Sequence, residues 1–484
     1  MLRRLRPLGM PAISGLLLAL AFPPFNLLFL AFVALVPLLV NIRGLRFWPA
    51  FGRGYIFGLA FGAPNMFWLD QFVARWTGSS WLGMVPWVLV CSAFAVYFAL
   101  FAGVAAKAWH RNWAWAIPLI WSGVEVLRST IPYLFYPWSL LGATLWQVPV
   151  LLQPAWWAGP YFLGAWVVLF NVVGAMLWLK EEFPARRTWA YVIVAMLIMG
   201  GSLLSAFTPI QGERKRVAAV QPGVDLAFNT NQSMDAQLAV KVPQAIGVGA
   251  GVARDLTVLP EGVSRWSGER PTAPFPIDFE EPTIMGGQRD KAGASHQSLF
   301  AFDGNWQAAD KVRLVIFGEY VPFRNRLGFL KDFNLPGGDL IPGERVQTLT
   351  VGGLRVGGLL CFEALFEEVA RAHATNGAEI LAVLSLDDWY QGTGAIDALK
   401  AGAVLRAVEN RMPVVRSASL GPSMIIDPRG NIVAQAPIGA TTTVQAEVVV
   451  SSHKPIIVRQ WFPWIALAVM ALIALWPVRN GLSA

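Results

Sequence analysis

Apolar residues run in long blocks through the first two-fifths of the chain and again at its end. Between those regions they alternate with polar ones. A helix that crosses about 30 Å of hydrocarbon needs about 17–25 mostly apolar residues. Blocks of that kind lie near 8–23, 25–42, 52–73, 81–105, 113–128, 160–179, 188–207 and 461–477. They predict a multi-pass helical membrane domain of about eight transmembrane helices. Only Pro23-Pro24 separates the first two blocks, which reads as a tight hairpin or one kinked segment. Arg3, Arg4 and Arg6 ahead of the first block mimic a signal peptide; the spans that follow make a signal anchor the better reading.

The middle of the chain has a different rhythm. Arg216–Gln221, Asp255–Pro260, Thr283–Gly286 and Ser298–Asp303 read as short strands. Gln347–Cys361 reads as a hairpin turning at Gly352-Gly353, Glu363–Asn376 as a helix, Glu379–Leu386 as a buried strand and Ala395–Asn410 as a helix. Strands return through Val414–Ile426 and Thr442–Val450. Such alternation predicts a layered α/β domain, long enough to bury its own core. The expected division is 1–208 as a membrane domain with seven transmembrane helices, 209–456 as the soluble domain, and 457–484 as a last transmembrane helix and tail.

Composition agrees with a membrane chain. Of 484 residues 55% are hydrophobic and 14% charged, against about 45–50% and about 25% in soluble domains. The 22 Trp and 30 Phe suit interfacial aromatic belts. The net charge of +8 does not point to nucleic acid, because the cations sit in short loops between apolar blocks. With the N-terminus in the cytoplasm, the cytoplasmic segments hold Arg3, Arg4, Arg6, Arg43, Arg46, Arg53, Lys107, Arg111, Lys180, Arg186, Arg187 and Arg479. The outer loops between the first seven spans hold only Arg75 and Arg128. Positive charge stays inside, so residues 209–456 are expected outside, in the periplasm or its equivalent. Cys91 lies in an apolar block and Cys361 in the soluble part, so no disulfide is expected.

Cys361 follows the apolar stretch Gly357-Gly358-Leu359-Leu360 and precedes a predicted helix. A helix N-terminus there favours thiolate over thiol. An inert buried cysteine is the plain alternative. Two further segments weigh against it. Leu256–Glu261 is an apolar strand that ends in Pro-Glu, and Asp310–Pro322 carries Lys311 and Glu319. Singly, each of these charges reads as surface. Together they bring a base, a cation and a nucleophile from three strand ends, the set that acyl transfer through a thioester requires.

The order Glu261, Lys311, Cys361 resembles the nitrilase (carbon-nitrogen hydrolase) superfamily. Lys311-Val-Arg-Leu-Val-Ile-Phe-Gly-Glu319-Tyr-Val-Pro322 and Cys361-Phe-Glu363 are similar to the signature of the apolipoprotein N-acyltransferase family. So are Leu20-Ala-Phe-Pro-Pro24, Trp121-x3-Glu125-x2-Arg128, Pro137-Trp138 and Gly142, and the likeness covers nearly the whole chain. The resemblance implies an αββα nitrilase-like sandwich on a bacterial inner-membrane body, facing the periplasm. It implies a ping-pong reaction without cofactor or metal. An acyl chain moves from a phospholipid to Cys361, then to the N-terminal amine of a diacylglyceryl apolipoprotein. Glu261 is then the general base, Lys311 the oxyanion and base-positioning cation, and Glu319 and Glu363 supporting carboxylates that hold Lys311 and order the pocket. The family usually has Tyr where Phe362 stands, Ser-Asn-Asp-x-Trp-Phe-Gly at Ser385–Gln391, His at Leu399 and Trp near Phe228. The expected consequence, with Asp387-Asp388 among the changes, is intact thioester formation and slower transfer to the acceptor.

Three other readings compete: a membrane-tethered amidase with the same three residues, a degenerate lipoprotein-binding protein, and a transporter. A transporter should carry several inward-facing charges in its spans. This chain offers Asp70, Glu125 and little else. Phe323–Phe333 reads as a lid arm at the lipid interface or as a surface helix. Glu125 and Arg128 are spaced to pair on one helix face. His110 and His296 have no metal-ligand spacing.

Overall fold

The computed structural model describes residues 2–131, 136–180, 183–229, 231–324, 326, 339–451, 453 and 455–476, with side chains from residue 8 onward. The side chains of Arg3, Arg4 and Arg6, the residue Arg479 and most of the expected arm at Phe323–Phe333 lie outside the described residues. Two compact units form. One comprises Met1–Phe207, Gly392–Ala398 and Ile456–Ala484; the other comprises Thr208–Gln391 and Leu399–Pro455.

The first unit is helical. Four of its helices are long and apolar enough to cross a membrane: Ser80–His110, Pro160–Trp178, Ala185–Phe207 and Ile457–Leu475. Ala185–Phe207 buries only Thr188, Ala195 and Ser202, and leaves Leu197, Leu204 and Phe207 bare. Bare apolar surface of that extent is explained by lipid contact. Other expected blocks are broken. Block 52–73 divides at Met66 into Phe47–Asn65, with Pro64 near its end, and Phe67–Thr77. The first of these begins early enough to take in Arg53. Block 25–42 becomes a 3-10 turn, Leu28–Phe32, and a short helix, Val36–Ile42.

Irregular backbone buried away from water needs partners, and buried polar side chains provide them. Asn171 accepts from the Leu35 N–H at 2.8 Å and donates to the Ala31 carbonyl at 2.8 Å. Glu125 and Arg128 pair at 3.8 Å, both buried. Glu125 accepts from the Leu141 N–H, and Arg128 donates to the Tyr136 and Ser139 carbonyls. Small residues allow close helix packing. A Cβ on Gly54 would lie 2.4 Å from the Phe98 carbonyl oxygen, and one on Gly58 2.6 Å from the Ala95 Cα.

The second unit is two sheets face to face. Its strands are β1 Glu213–Gln221, β2 Leu256–Val258, β3 Ser264–Trp266, β4 Pro271–Thr272, β5 Thr283–Lys291, β6 Ala294–Phe302 and β7 Trp306–Asp310. They continue with β8 Thr348–Val351, β9 Leu354–Leu360, β10 Ile380–Ser385, β11 Val414–Ala418, β12 Met424–Ile426, β13 Ile432–Gln435 and β14 Thr442–Val450. The first sheet runs β14-β1-β2-β5-β3-β4, with β6 on β5 and β7 on β6; the second runs β13-β12-β11-β10-β9-β8. Val217, Val258, Ile284 and Leu299 from the first meet Val356, Leu360, Leu384 and Val415 from the second. Helix Asn231–Gly247 covers the outer face of the first sheet through Leu238, Val242 and Ala245. Helix Glu367–Thr375 lies against β9.

Candidate active site

Parallel pairing sets where the site forms. β1, β2 and β5 are mutually parallel neighbours. β6 is antiparallel to β5 and β7 antiparallel to β6, so β7 runs in the direction of β2. In the second sheet β9, β10 and β11 are parallel. The residues just past the carboxyl ends of β2, β7, β9 and β10 are Glu261, Lys311, Cys361 and Leu386. Open α/β sheets place their sites at such ends.

Glu261 turns out of β2 after Pro260 and packs against a glycine. A Cβ on Gly286 would stand 2.8 Å from the Glu261 Cα, so β5 can approach only without one. Lys311 follows β7 directly, with its N–H on the Gln297 carbonyl at 2.8 Å. Its ammonium lies 2.7 Å from Glu319 Oε1 and 3.9 Å from Glu261 Oε1, fully buried. Glu319 is held in turn by the Val315 N–H at 2.8 Å.

Glu363 orders the backbone beside Lys311. It accepts from the Val312 and Arg313 N–H groups at 2.8 and 2.9 Å, and from the Leu360 N–H at 3.0 Å. It ties the segment after Lys311 to the end of β9. Its carboxyl is raised by burial, against Lys311 and these three N–H groups.

Cys361 has φ +49, in the left-handed region that only a well-supported non-glycine residue occupies. It opens a five-residue 3-10 turn, Cys361–Leu365; the α-helix starts only at Glu367. The expected helix Glu363–Asn376 is therefore split, and one short turn supplies little dipole. The expectation of a stabilised thiolate is corrected as well. Burial pushes the Cys361 thiol up to about 12, reinforced by Glu261 and opposed by Lys311 and the Leu386 N–H. Desolvation outweighs the local cation.

Burial likewise raises the Glu261 carboxyl to about 7; Lys311 and Gln297 oppose the rise, and Glu319 and Glu363 add to it. Glu261 Oε2 meets no hydrogen-bond donor among the described residues. Burial works against the Lys311 ammonium, but Glu319, Glu261, Cys361 and Glu363 outweigh it and hold its pKa above the ordinary lysine range. The resting arrangement is thus a neutral thiol beside a weakly acidic carboxyl and a permanent cation. A carboxylate of raised pKa is the better proton acceptor. A fixed ammonium in a dry site is suited to an oxyanion.

In the segment Ser385–Gln391, Asp387 and Asp388 are fully buried, and Leu399, where the family has His, is nearly so. Asp388 accepts from Ser419 and from the Leu226 N–H, each at 2.7 Å. Phe228 and Trp389 meet edge to face at 5.3 Å. Arg416, which the sequence reading passed over, donates to Asp387. No spacing rule joins residues so far apart. Among the described residues no group of three or more His, Cys, Asp or Glu could hold a metal.

An α/β unit with a glutamate, a lysine and a cysteine at its strand ends, joined to helices fit for a bilayer, is the arrangement of a membrane-borne carbon-nitrogen hydrolase. Residues 285–457 match the carbon-nitrogen hydrolase family model, and residues 14–173 match that of the apolipoprotein N-acyltransferase N-terminal domain. An apolipoprotein N-acyltransferase of Geobacter metallireducens is 30% identical over 96% of this chain and 94% of its own. One from Aquifex aeolicus is 25% identical over 88% and 95%. Among solved structures, Nit3 of Saccharomyces cerevisiae is 18% identical, covers 56% of this chain and 99% of its own, and has a TM-score of 0.37. The chain belongs to the apolipoprotein N-acyltransferase family.

Proposed function

We propose that the protein moves a fatty acyl chain from a membrane phospholipid to the N-terminal amine of a diacylglyceryl apolipoprotein, through a thioester on Cys361. Glu261 accepts the thiol proton as sulfur attacks the ester carbonyl, while Lys311 faces the oxygen that becomes negative. Collapse expels the lysophospholipid alkoxide, which takes the proton from Glu261. The acceptor amine then attacks the thioester, its proton passes to Glu261, and the thiol is restored. Glu319 holds Lys311, and Glu363 holds the backbone around it. Residues 209–456 are the catalytic domain. About eight membrane crossings carry it on the periplasmic side of a bacterial inner membrane. A short run such as Val36–Ile42 completes a crossing only together with its neighbours.

The observation that carries this reading is one buried ammonium between Glu319 and Glu261 whose charge favours the Cys361 thiolate. It stands in a chain whose relatives are named apolipoprotein N-acyltransferases along their length. The tethered-amidase and binding-only readings have no comparable support.

The test is intact-mass analysis of purified protein mixed with phospholipid. An acyl chain on Cys361, released by hydroxylamine and absent in Cys361→Ser, is expected. Acceptor acylation without any such adduct would rule the thioester route out. Single-turnover transfer from the loaded enzyme should be slower than in relatives with the usual motif, and Phe362→Tyr should speed it.

A further inference from the structure

β10 runs parallel to β9 with Leu384 paired to Leu360. That register carries the end of β10 alongside the end of β9, and the Leu386 N–H that follows β10 favours the anionic form of the Cys361 sulfur. The strand ends there, and a 3-10 turn, Asp387–Tyr390, follows. An unusual set of buried polar groups holds this corner. The Ser385 hydroxyl donates to Asp387 Oδ1 at 2.5 Å. Arg416 donates from Nη2 to Asp387 Oδ2, and from Nη1 to the Pro422 carbonyl at 2.6 Å. Ser385, Asp387 and Arg416 are all buried. Burying an arginine–aspartate pair is a poor way to gain stability, because desolvation offsets most of the attraction. What such a pair can supply is a fixed geometry.

We infer that Asp387 and Arg416 are positioning residues: their buried ion pair locks the corner after β10 so that the Leu386 N–H faces the Cys361 sulfur and stabilises the charge that gathers there. The inference rests on the reading of Cys361 as nucleophile. In acylation the thiol proton leaves for Glu261 while the sulfur electron pair forms the new bond to carbon. In deacylation the carbon–sulfur bond breaks and the pair returns to sulfur. An N–H donor favours the anionic sulfur in both halves.

The sign of one effect tests this. The Asp387 carboxylate by its charge alone opposes the thiolate. Asp387→Asn removes that charge, so a purely through-space role would make Cys361 more reactive. Unfolding would expose the thiol and also make it more reactive. Loss of the aimed N–H does the opposite. In a Cys91→Ala background, where Cys361 is the sole cysteine, the iodoacetamide rate constant at about pH 8 should fall by roughly 10–100-fold in Asp387→Asn. Phospholipid kcat should fall with KM unchanged, and Arg416→Lys should show the same direction with a smaller size. An unchanged or faster alkylation overturns the inference. Should Asp387→Asn fail to accumulate, Ser385→Ala, which deletes only the hydroxyl, decides it: slower alkylation supports the inference and an unchanged rate rejects it. Alkylation needs no lipid, so a missing acyl adduct in the unsubstituted protein would sink the proposed function while leaving this outcome readable.

Discussion

At the residue scale, the proposed site holds a carboxyl and a thiol both above their ordinary ranges. Glu261, raised to about 7 chiefly by burial, accepts a proton only when ionised. Acylation should therefore rise as pH rises through about 7, and the protonated form below it should be idle. Single-turnover acylation across that range would show the rising limb, and Glu261→Gln should abolish it with a loss of roughly 10²–10⁴. A flat profile would remove Glu261 from the base's role. Lys311→Met should lower acylation by about 10²–10³ and move the rising limb to higher pH, since the ammonium that opposes the rise in the Glu261 pKa is gone. The pair acts as a unit, so the double variant should be little worse than the worse single one.

At the scale of elements, Glu363 shows how a strand end and a loop are kept in register. A glutamine there offers one acceptor oxygen where the carboxylate offers two. Either the Val312 and Arg313 N–H groups or the Leu360 N–H then faces an NH2 group. Glu363→Gln should lose about 1–3 kcal/mol of stability, read from thermal or denaturant unfolding, and should slow acylation by displacing Lys311. An unfolding curve identical to that of the parent would show the three bonds to be replaceable. The strands around the site were legible because they are apolar runs punctuated by Pro, Gly or charge, as Ala395–Asn410 was by its helical period. Helix Asn231–Gly247 escaped because Pro243 interrupts a weakly patterned stretch. β7, Trp-Gln-Ala-Ala-Asp, escaped because every position is half-buried and no alternation results. Glu261 and Cys361 could be picked out because each follows such a run, and Lys311 because an apolar run and Glu319 come after it. The Leu386 N–H could not, being backbone, nor could Arg416, whose partner is fixed by strand pairing and not by spacing.

At the scale of the whole molecule, the charge asymmetry between loops gives a testable orientation. An impermeant thiol reagent should label a cysteine placed at Asn305 in intact spheroplasts and miss one placed at Ala185; both positions are exposed. The reverse pattern would invert the topology. Broken spans were not legible, since hydropathy averages over the residues at Met66 and near Val33–Leu35 where the helix stops. The pairing of β1 with β14 has a consequence for how such a chain can be assembled. Glu213 lies opposite Val450, so the first and last strands of the soluble unit are neighbours in one sheet. The chain leaves the helix that ends at Phe207, and re-enters the one that begins at Ile457, by way of adjacent strands. The entropy of closing a loop depends on the flexible length that must be closed. A folded insert whose ends already touch contributes almost none, so to the helices on either side an entire enzyme counts as a short connection.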